Sequence, residues 1–145
     1  MEKSTFTIQI NASPEKVWET LWDDKSYQAW TAVFSEGSRA ETDWKEGSKV
    51  LFLDGNGQGM VSRIAKTIPN KYMSIEHLGF YDNGKEDLES EKVKSWAGVH
   101  ENYTLKNIDG NTELLVEMDT VEEYKDYFDD AWPKALRKLK SIAED

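Results

Sequence analysis

Cysteine is absent from the 145-residue sequence, and histidine is scarce, with only His77 and His100. Without cysteine the chain has no disulfide bond, no thiolate nucleophile and no thiolate metal site. The two histidines fall on different predicted strands, which gives poor support to a histidine-based metal cluster. We therefore expect neither a bound metal ion nor another cofactor.

Basic charge and long apolar runs are also limited. The chain has 28 acidic and 18 basic residues, a net charge of −10, and such a surface repels nucleic-acid phosphates and anionic lipids. No stretch approaches the roughly 20 apolar residues of a membrane helix, and the first residues lack the apolar core of a signal peptide. We predict a soluble cytoplasmic protein with no nucleic-acid partner and no membrane insertion.

Aromatic residues, in contrast, are abundant: six Trp, six Tyr and five Phe. A chain with this composition is typical of a globular protein. Its length matches the usual size of one domain, so residues 1–145 are expected to form a single domain.

The last long segment, residues 121–144, has the pattern of an amphipathic helix. Apolar residues recur at steps of three and four between Val121 and Ile142 and lie on one side of the helix. Pro133 lies inside this segment and is expected to bend the helix near Asp129, or to separate two shorter helices. Such an apolar face needs a sheet to cover it.

The upstream sequence supplies the strands of that sheet. Phe6, Ile8 and Ile10 alternate with polar residues in a first strand, and Ser13 with Pro14 marks the start of a helix. This helix is expected to end near residue 22, and a second short helix is predicted over 27–30. Further strands are predicted at 38–41, 49–54, 59–68, 72–80, 96–106 and 112–120.

The polar segment 81–94 is predicted to be a long loop, either simply solvated or acting as a lid. Short turns join the other predicted strands, which should therefore pair antiparallel with their neighbours. The predicted fold is α+β. A curved antiparallel sheet wraps around the C-terminal helix, and a ligand would lie between them.

Several segments resemble a known family: "INASPEKVWETLWD", "DWKEGSKVLF", "NYTLKNIDGNTELLVEMD" and "AWPKALRKLKSIAED". With them the sequence is similar to the START-like (SRPBCC) helix-grip superfamily, and within it to the family related to the C-terminal domain of the Hsp90 ATPase activator Aha1. The resemblance implies a β-α-α-β6-α fold with a cavity between sheet and long helix. Members of the superfamily bind lipids, hormones, polyketides or aromatic compounds.

Ten residues are predicted to line this cavity and bind its ligand. They are Trp30, Phe52, Met60, His77, Trp96, Glu101, Tyr103, Met118, Phe128 and Trp132. The aromatic members either stack on a ligand or simply fill the interior. No residue is assigned to catalysis or to a metal.

For two of the ten residues, His77 and Glu101, two orientations of the side chain are open. His77 either projects into the cavity beside Met73 and Ile75 or is an ordinary histidine of the sheet. Glu101 either faces inward, with Arg63 as a candidate partner, or lies on the exposed face. An inward carboxylate or imidazole would orient a ligand.

The favoured function is the binding of a small hydrophobic or amphipathic molecule without catalysis. The first alternative is an enzyme that uses the same cavity, with His77 or Glu101 in cyclisation, dehydration or hydrolysis. The second is an Hsp90-type chaperone cofactor. A homodimer is also left open.

Overall fold

The computed structural model describes residues 2–145, in which eight strands and four helices occur. In chain order they are β1 (Glu2–Ile10), α1 (Pro14–Trp22), α2 (Asp24–Thr31), β2 (Arg39–Glu41), β3 (Lys49–Leu53), β4 (Gln58–Ile68), β5 (Tyr72–Asp82), β6 (Lys85–Asp87), α3 (Glu91–Lys94), β7 (His100–Ile108), β8 (Asn111–Thr120) and α4 (Glu122–Glu144).

All described strands belong to one antiparallel sheet with the order β1-β8-β7-β5-β4-β3-β2, and β6 pairs with β5. The first and last strands are neighbours, with Phe6 opposite Val116. The β4–β5 pairing shifts register between Val61 and Ser62 and again between Ile64 and Lys66. Such bulges bend strands and increase their twist, so the sheet curves. The predicted α+β helix-grip fold is confirmed.

Helix α4 lies across the concave side of this sheet and packs on β1, α1 and α2. Trp132, Ala135, Leu136 and Leu139 form its buried side, as the apolar spacing predicts. The helix continues through Pro133, so the alternative of two shorter helices is wrong. Within residues 2–145, every helix is too short or too polar to span a membrane.

The start of α1 matches the sequence pattern closely. The Ser13 hydroxyl accepts a hydrogen bond from the backbone N–H of Lys16 at 3.2 Å, and Pro14 occupies the first helical position. Helix α2 begins earlier than predicted, at Asp24, because only one extended residue, Asp23, separates it from α1. The two short helices close one end of the space between sheet and α4.

The segment predicted as a long loop contains two short elements instead. Asn83 and Gly84 both have positive φ, 45° and 97°, as a tight hairpin turn requires, so β6 folds back on β5. Ser90 then caps α3 by accepting from the backbone N–H of Val93. Trp96 therefore follows a helical turn and precedes β7, whereas a strand was predicted there.

Candidate functional site

A cavity of about 640 Å³ lies between the concave face of the sheet and the first half of α4. Its wall is built by α2, by strands β3, β4, β5, β7 and β8, and by α4. Tyr124 and Tyr127 of α4 line it while remaining 44% and 47% exposed, so the cavity opens to solvent beside the first turns of this helix.

The structure places all ten predicted residues in the wall of this one cavity. Their role in binding a ligand stays a prediction. Sequence reasoning missed the remaining lining residues: Tyr27, Thr31, Phe34, Ser38, Asp54, Phe80, Val99, Asp119, Thr120, Val121, Tyr124 and Tyr127. Tyr124 and Tyr127 belong to the apolar stripe of the C-terminal helix, and that stripe could have identified them.

Trp30 and Trp132 form the deepest part of the aromatic wall, with 1% and 3% of their surface exposed. Their ring centroids lie 6.1 Å apart, and Trp132 also packs against Phe34 and Tyr103. The Trp30 indole N–H donates to the backbone oxygen of Leu21 at 3.2 Å, which fixes its ring. These tryptophans therefore fill the interior and line the cavity at the same time.

A second aromatic pair of the cavity wall is formed by β5 and the segment before β7. Phe80 of β5 and Trp96 pack edge to face with centroids 5.0 Å apart. Phe52 of β3 packs edge to face against the His77 ring at 5.9 Å. Aromatic rings thus border the only histidine that lines the cavity within the described chain.

His77 and Glu101 meet inside the cavity and form its polar centre. His77 Nε2 lies 3.2 Å from Oε1 of Glu101, and the Tyr103 hydroxyl donates to the other carboxylate oxygen. On the far side of the imidazole, the buried Ser62 hydroxyl lies 2.7 Å from Nδ1. Ser62, His77, Glu101 and Tyr103 are called the polar cluster below.

Strand register explains why these residues meet. Glu101 of β7 lies opposite Ile75 of β5, and His77 follows two residues later on the same strand face. Both side chains are mostly buried, 11% exposed for His77 and 18% for Glu101. The inward alternative for each residue therefore describes the structure.

The predicted pairing of Arg63 with Glu101 is wrong. Arg63 lies on the outer face of β4, where its Nη2 is 2.7 Å from Oε1 of Glu76. On this strand the inward residues are Met60, Ser62 and Ile64. The Glu101 carboxylate is paired with an imidazole and a phenol, and none of the described lining residues of the cavity is an arginine.

The protonation of Glu101 reflects opposing effects. Burial raises the pKa of its carboxyl group. The hydrogen bond and charge of His77 and the hydrogen bond from Tyr103 lower the same pKa by a larger amount, so it lies below its ordinary value. Burial and the adjacent carboxylate raise the pKa of Tyr103 well above its ordinary value. At neutral pH the cluster thus presents a carboxylate and a neutral phenol.

This arrangement can accept hydrogen bonds from a ligand or take up a proton. The carboxylate keeps free lone pairs on both oxygens, since an ionised carboxylate accepts about four hydrogen bonds. Elsewhere in residues 2–145, no three His, Asp or Glu side chains come together in a way that would hold a metal ion. The polar cluster is therefore the main chemical feature of the cavity.

Structures with this fold are numerous. Protein MLL2253 from Mesorhizobium loti has a TM-score of 0.76 at 16% identity, over 97% of this chain and 96% of that one. The Aha1 dimer from Colwellia psychrerythraea has a TM-score of 0.73 at 21% identity, over 99% and 97%. DynU16, from the dynemicin biosynthetic locus, has a TM-score of 0.74 at 14% identity, over 99% of this chain and 48% of its own. At these identities the likeness concerns the fold.

No relative is found among curated protein sequences. The family model described as "Activator of Hsp90 ATPase homolog 1-like protein" matches residues 11–144, which include all ten predicted cavity residues and helices α1 to α4. The chain therefore belongs to the family of Activator of Hsp90 ATPase homolog 1-like proteins.

Proposed function

We propose that the protein binds a small, mainly apolar molecule in the cavity between its sheet and α4. The observation that carries this proposal is the cavity itself, about 640 Å³ and lined mostly by aromatic and aliphatic side chains around one polar cluster. Pockets for small ligands typically have about 300–1,000 Å³ and this kind of wall. A purely structural interior would be packed without such a void.

The position of the opening supports the same function. Tyr127 donates a hydrogen bond to the backbone oxygen of Phe34 at 2.8 Å and so connects α4 with the segment after α2. Phe34 and Phe128 pack edge to face beside this contact. A ligand would pass these side chains, which need only rotate to admit it.

Thermal unfolding with a panel of fatty, aromatic and steroid-like compounds tests the proposal. A ligand that binds only the folded protein stabilises it by about 2.7 kcal/mol at one hundred times its Kd, which raises Tm measurably. Met118→Trp should abolish the shift, because Met118 lines the cavity and the larger indole would fill part of it. Leu115→Trp, on the outer face of the same strand, is the matched control.

The proposal predicts that at least one compound raises the Tm of the wild type and of Leu115→Trp but leaves that of Met118→Trp unchanged. Two results would contradict it. One is a panel in which no compound changes Tm. The other is a shift of equal size in the Met118→Trp variant, which would locate binding elsewhere.

Acid–base catalysis in the same cavity is the second candidate, favoured by the direct contact of His77 with Glu101. A paired imidazole and carboxylate can move a proton to or from a bound molecule, as cyclisation, dehydration or hydrolysis requires. Conversion of a bound compound by the wild type but not by Glu101→Gln would support this function. Unchanged recovery of every bound compound would favour binding alone.

A chaperone-cofactor function and a homodimer stay separate predictions. The family description supports the first, and the dimeric relative from Colwellia psychrerythraea supports the second. Co-precipitation with a bacterial Hsp90 homologue tests the former. Size-exclusion chromatography with light scattering tests the latter.

A further inference from the structure

We propose that the ligand carries a hydrogen-bond donor, an amine or a hydroxyl group, on a flat apolar skeleton, and that Glu101 accepts the hydrogen bond. This inference rests on the proposed binding function and specifies the class of ligand. It follows from the charges in the cavity wall, the free lone pairs of Glu101 and the aromatic surroundings.

Apart from the imidazole of His77, which is paired with Glu101, the charged side chains of the cavity wall are all acidic. Asp54, Glu101 and Asp119 line the cavity, and none of the described lining residues is Lys or Arg. A ligand with a carboxylate or phosphate group would meet like charge and lose its hydration without gaining a Lys or Arg partner. The net charge of −10 acts in the same direction by repelling anions and attracting cations.

The two aspartates are already engaged by the backbone. Asp54 accepts from the N–H groups of Asn56 and Gln58 at 2.8 and 3.1 Å. Asp119 accepts from the N–H of His100 at 3.3 Å. Glu101 is thus the carboxylate that the fold directs toward the centre of the cavity, between His77 and Tyr103.

Glu101 has acceptor capacity to spare. Its two protein partners each occupy one carboxylate oxygen, and an ionised carboxylate accepts about four hydrogen bonds. The partners also hold the group in place, because Ser62 fixes the imidazole from behind and strand β7 fixes the phenol. A positioned anion in a mostly apolar cavity discriminates strongly between donors and acceptors on a ligand.

The surrounding wall favours a flat skeleton and tolerates a cation. Half of the lining residues are aromatic, among them Trp30, Phe52, Phe80, Trp96 and Trp132. Aromatic faces stack on planar rings and attract ammonium groups through their quadrupole. An amine or alcohol with an aromatic skeleton therefore matches both the shape and the charge of the site.

Four compounds with one skeleton test the inference at pH 7 by isothermal titration calorimetry: naphthylmethylamine, naphthalenemethanol, methylnaphthalene and naphthoic acid. We expect the amine and the alcohol to bind about tenfold or more tightly than the hydrocarbon, since a hydrogen bond to a charged group is worth at least that factor. The acid should bind most weakly. A preference of the amine over the alcohol would show that charge adds to the hydrogen bond.

Glu101→Gln should remove most of the advantage of the amine while leaving the hydrocarbon almost unaffected. The matched control is Glu117→Gln on β8, which deletes the same charge from the outer face, beside Lys3. Its affinities should equal those of the wild type, and a loss there would mean that overall charge controls binding. The wild-type series alone remains decisive if Glu101→Gln does not fold.

The outcomes separate the two proposals. Equal affinity for all four compounds, or tightest binding of the acid, would overturn the inference while the binding function stands. Binding of none of them, together with no response in the wider thermal panel, would remove the binding function and the inference with it. Donor-dependent binding that Glu101→Gln abolishes supports both.

Discussion

The hydrogen bond from Tyr103 to Glu101 should stabilise the fold mainly while Glu101 is ionised. The phenol donates to a carboxylate oxygen, and Tyr103 is almost fully buried. A hydrogen bond to a charged group contributes about 1.5–3 kcal/mol, compared with about 1 kcal/mol for a neutral pair. We therefore expect Tyr103→Phe to lower the free energy of unfolding by about 2 kcal/mol at pH 7.

The pH dependence of this loss follows from the pKa of Glu101. Burial raises that pKa, but His77 and Tyr103 outweigh burial and lower it below the ordinary value of 4.5. A carboxyl group with a lowered folded-state pKa adds stability above its unfolded-state pKa and loses it as the pH falls through the folded-state pKa. The difference between wild type and Tyr103→Phe should thus be full at pH 7 and shrink below about pH 4.5.

Urea unfolding, followed by circular dichroism between pH 3 and pH 7, measures this difference. Tyr27→Phe is the matched control, because it removes a hydroxyl from the same cavity without touching the Tyr103–Glu101 bond. Its effect should not follow the ionisation of Glu101. A double-mutant cycle with Glu101→Gln should show coupling of about 1 kcal/mol. If Tyr103→Phe costs the same with Gln at position 101 as with Glu, the assigned hydrogen bond is not a charge-assisted one.

Three further predictions concern the surroundings of the cavity, each measured by urea unfolding. Arg63→Gln should cost less than about 1 kcal/mol, because its ion pair with Glu76 is exposed to solvent; a larger loss would contradict the outward assignment. Gly59→Ala should cost at least about 3 kcal/mol, since a Cβ there would lie 1.7 Å from the backbone oxygen of Phe52; near-normal stability would show that the strands separate easily. Trp132→Phe should lower the free energy of unfolding by about 1 kcal/mol, and Trp132→Ala by about 3–5 kcal/mol. The loss is small for phenylalanine because the indole N–H is buried without a partner in residues 2–145, and its removal also removes a penalty. Equal losses for the two variants would refute this.

The long elements could be predicted because their periodicity is sustained. In α4 and in β8 the apolar spacing repeats over many residues, and burial follows it. The short elements β6 and α3 were missed because a three-residue strand and a four-residue helix have no period. Their signals are local: Asn83-Gly84 at the turn and Ser90 at the cap. Both signals lie inside the segment predicted as one polar loop.

The site shows a different limit. Alternation tells which residues of a strand share a face but not which face is inside. Glu101 shares its face with Tyr103 and Leu105, which are buried, so its position could be proposed. Arg63 was a candidate partner for Glu101 because it lies mid-strand, yet its side chain is on the outer face of β4, where it pairs with Glu76. The choice depends on neighbouring strands.

Phe80 illustrates the same limit through a bulge. Simple alternation places Phe80 and His77 on opposite faces of β5, so Phe80 was not a candidate. In the structure Val61 pairs with Gly79 and Ser62 with His77, which leaves Leu78 as the extra residue. The bulge switches the alternation, and both His77 and Phe80 line the cavity. Without the register of β4 against β5, no pattern in β5 alone indicates this.

The polar cluster buries a charge that core packing does not require, which is the strongest general argument that the cavity is functional. A buried carboxylate loses several kcal/mol of hydration, and it is tolerated here only because His77 and Tyr103 are held in place as its partners. Apolar residues of similar size at positions 77 and 101 would complete the aromatic wall without that loss. The chain nevertheless places Ser62, His77, Glu101 and Tyr103 in contact, and the last three of them line an open volume. Ionisable groups held in this way are characteristic of sites that bind or transform a ligand.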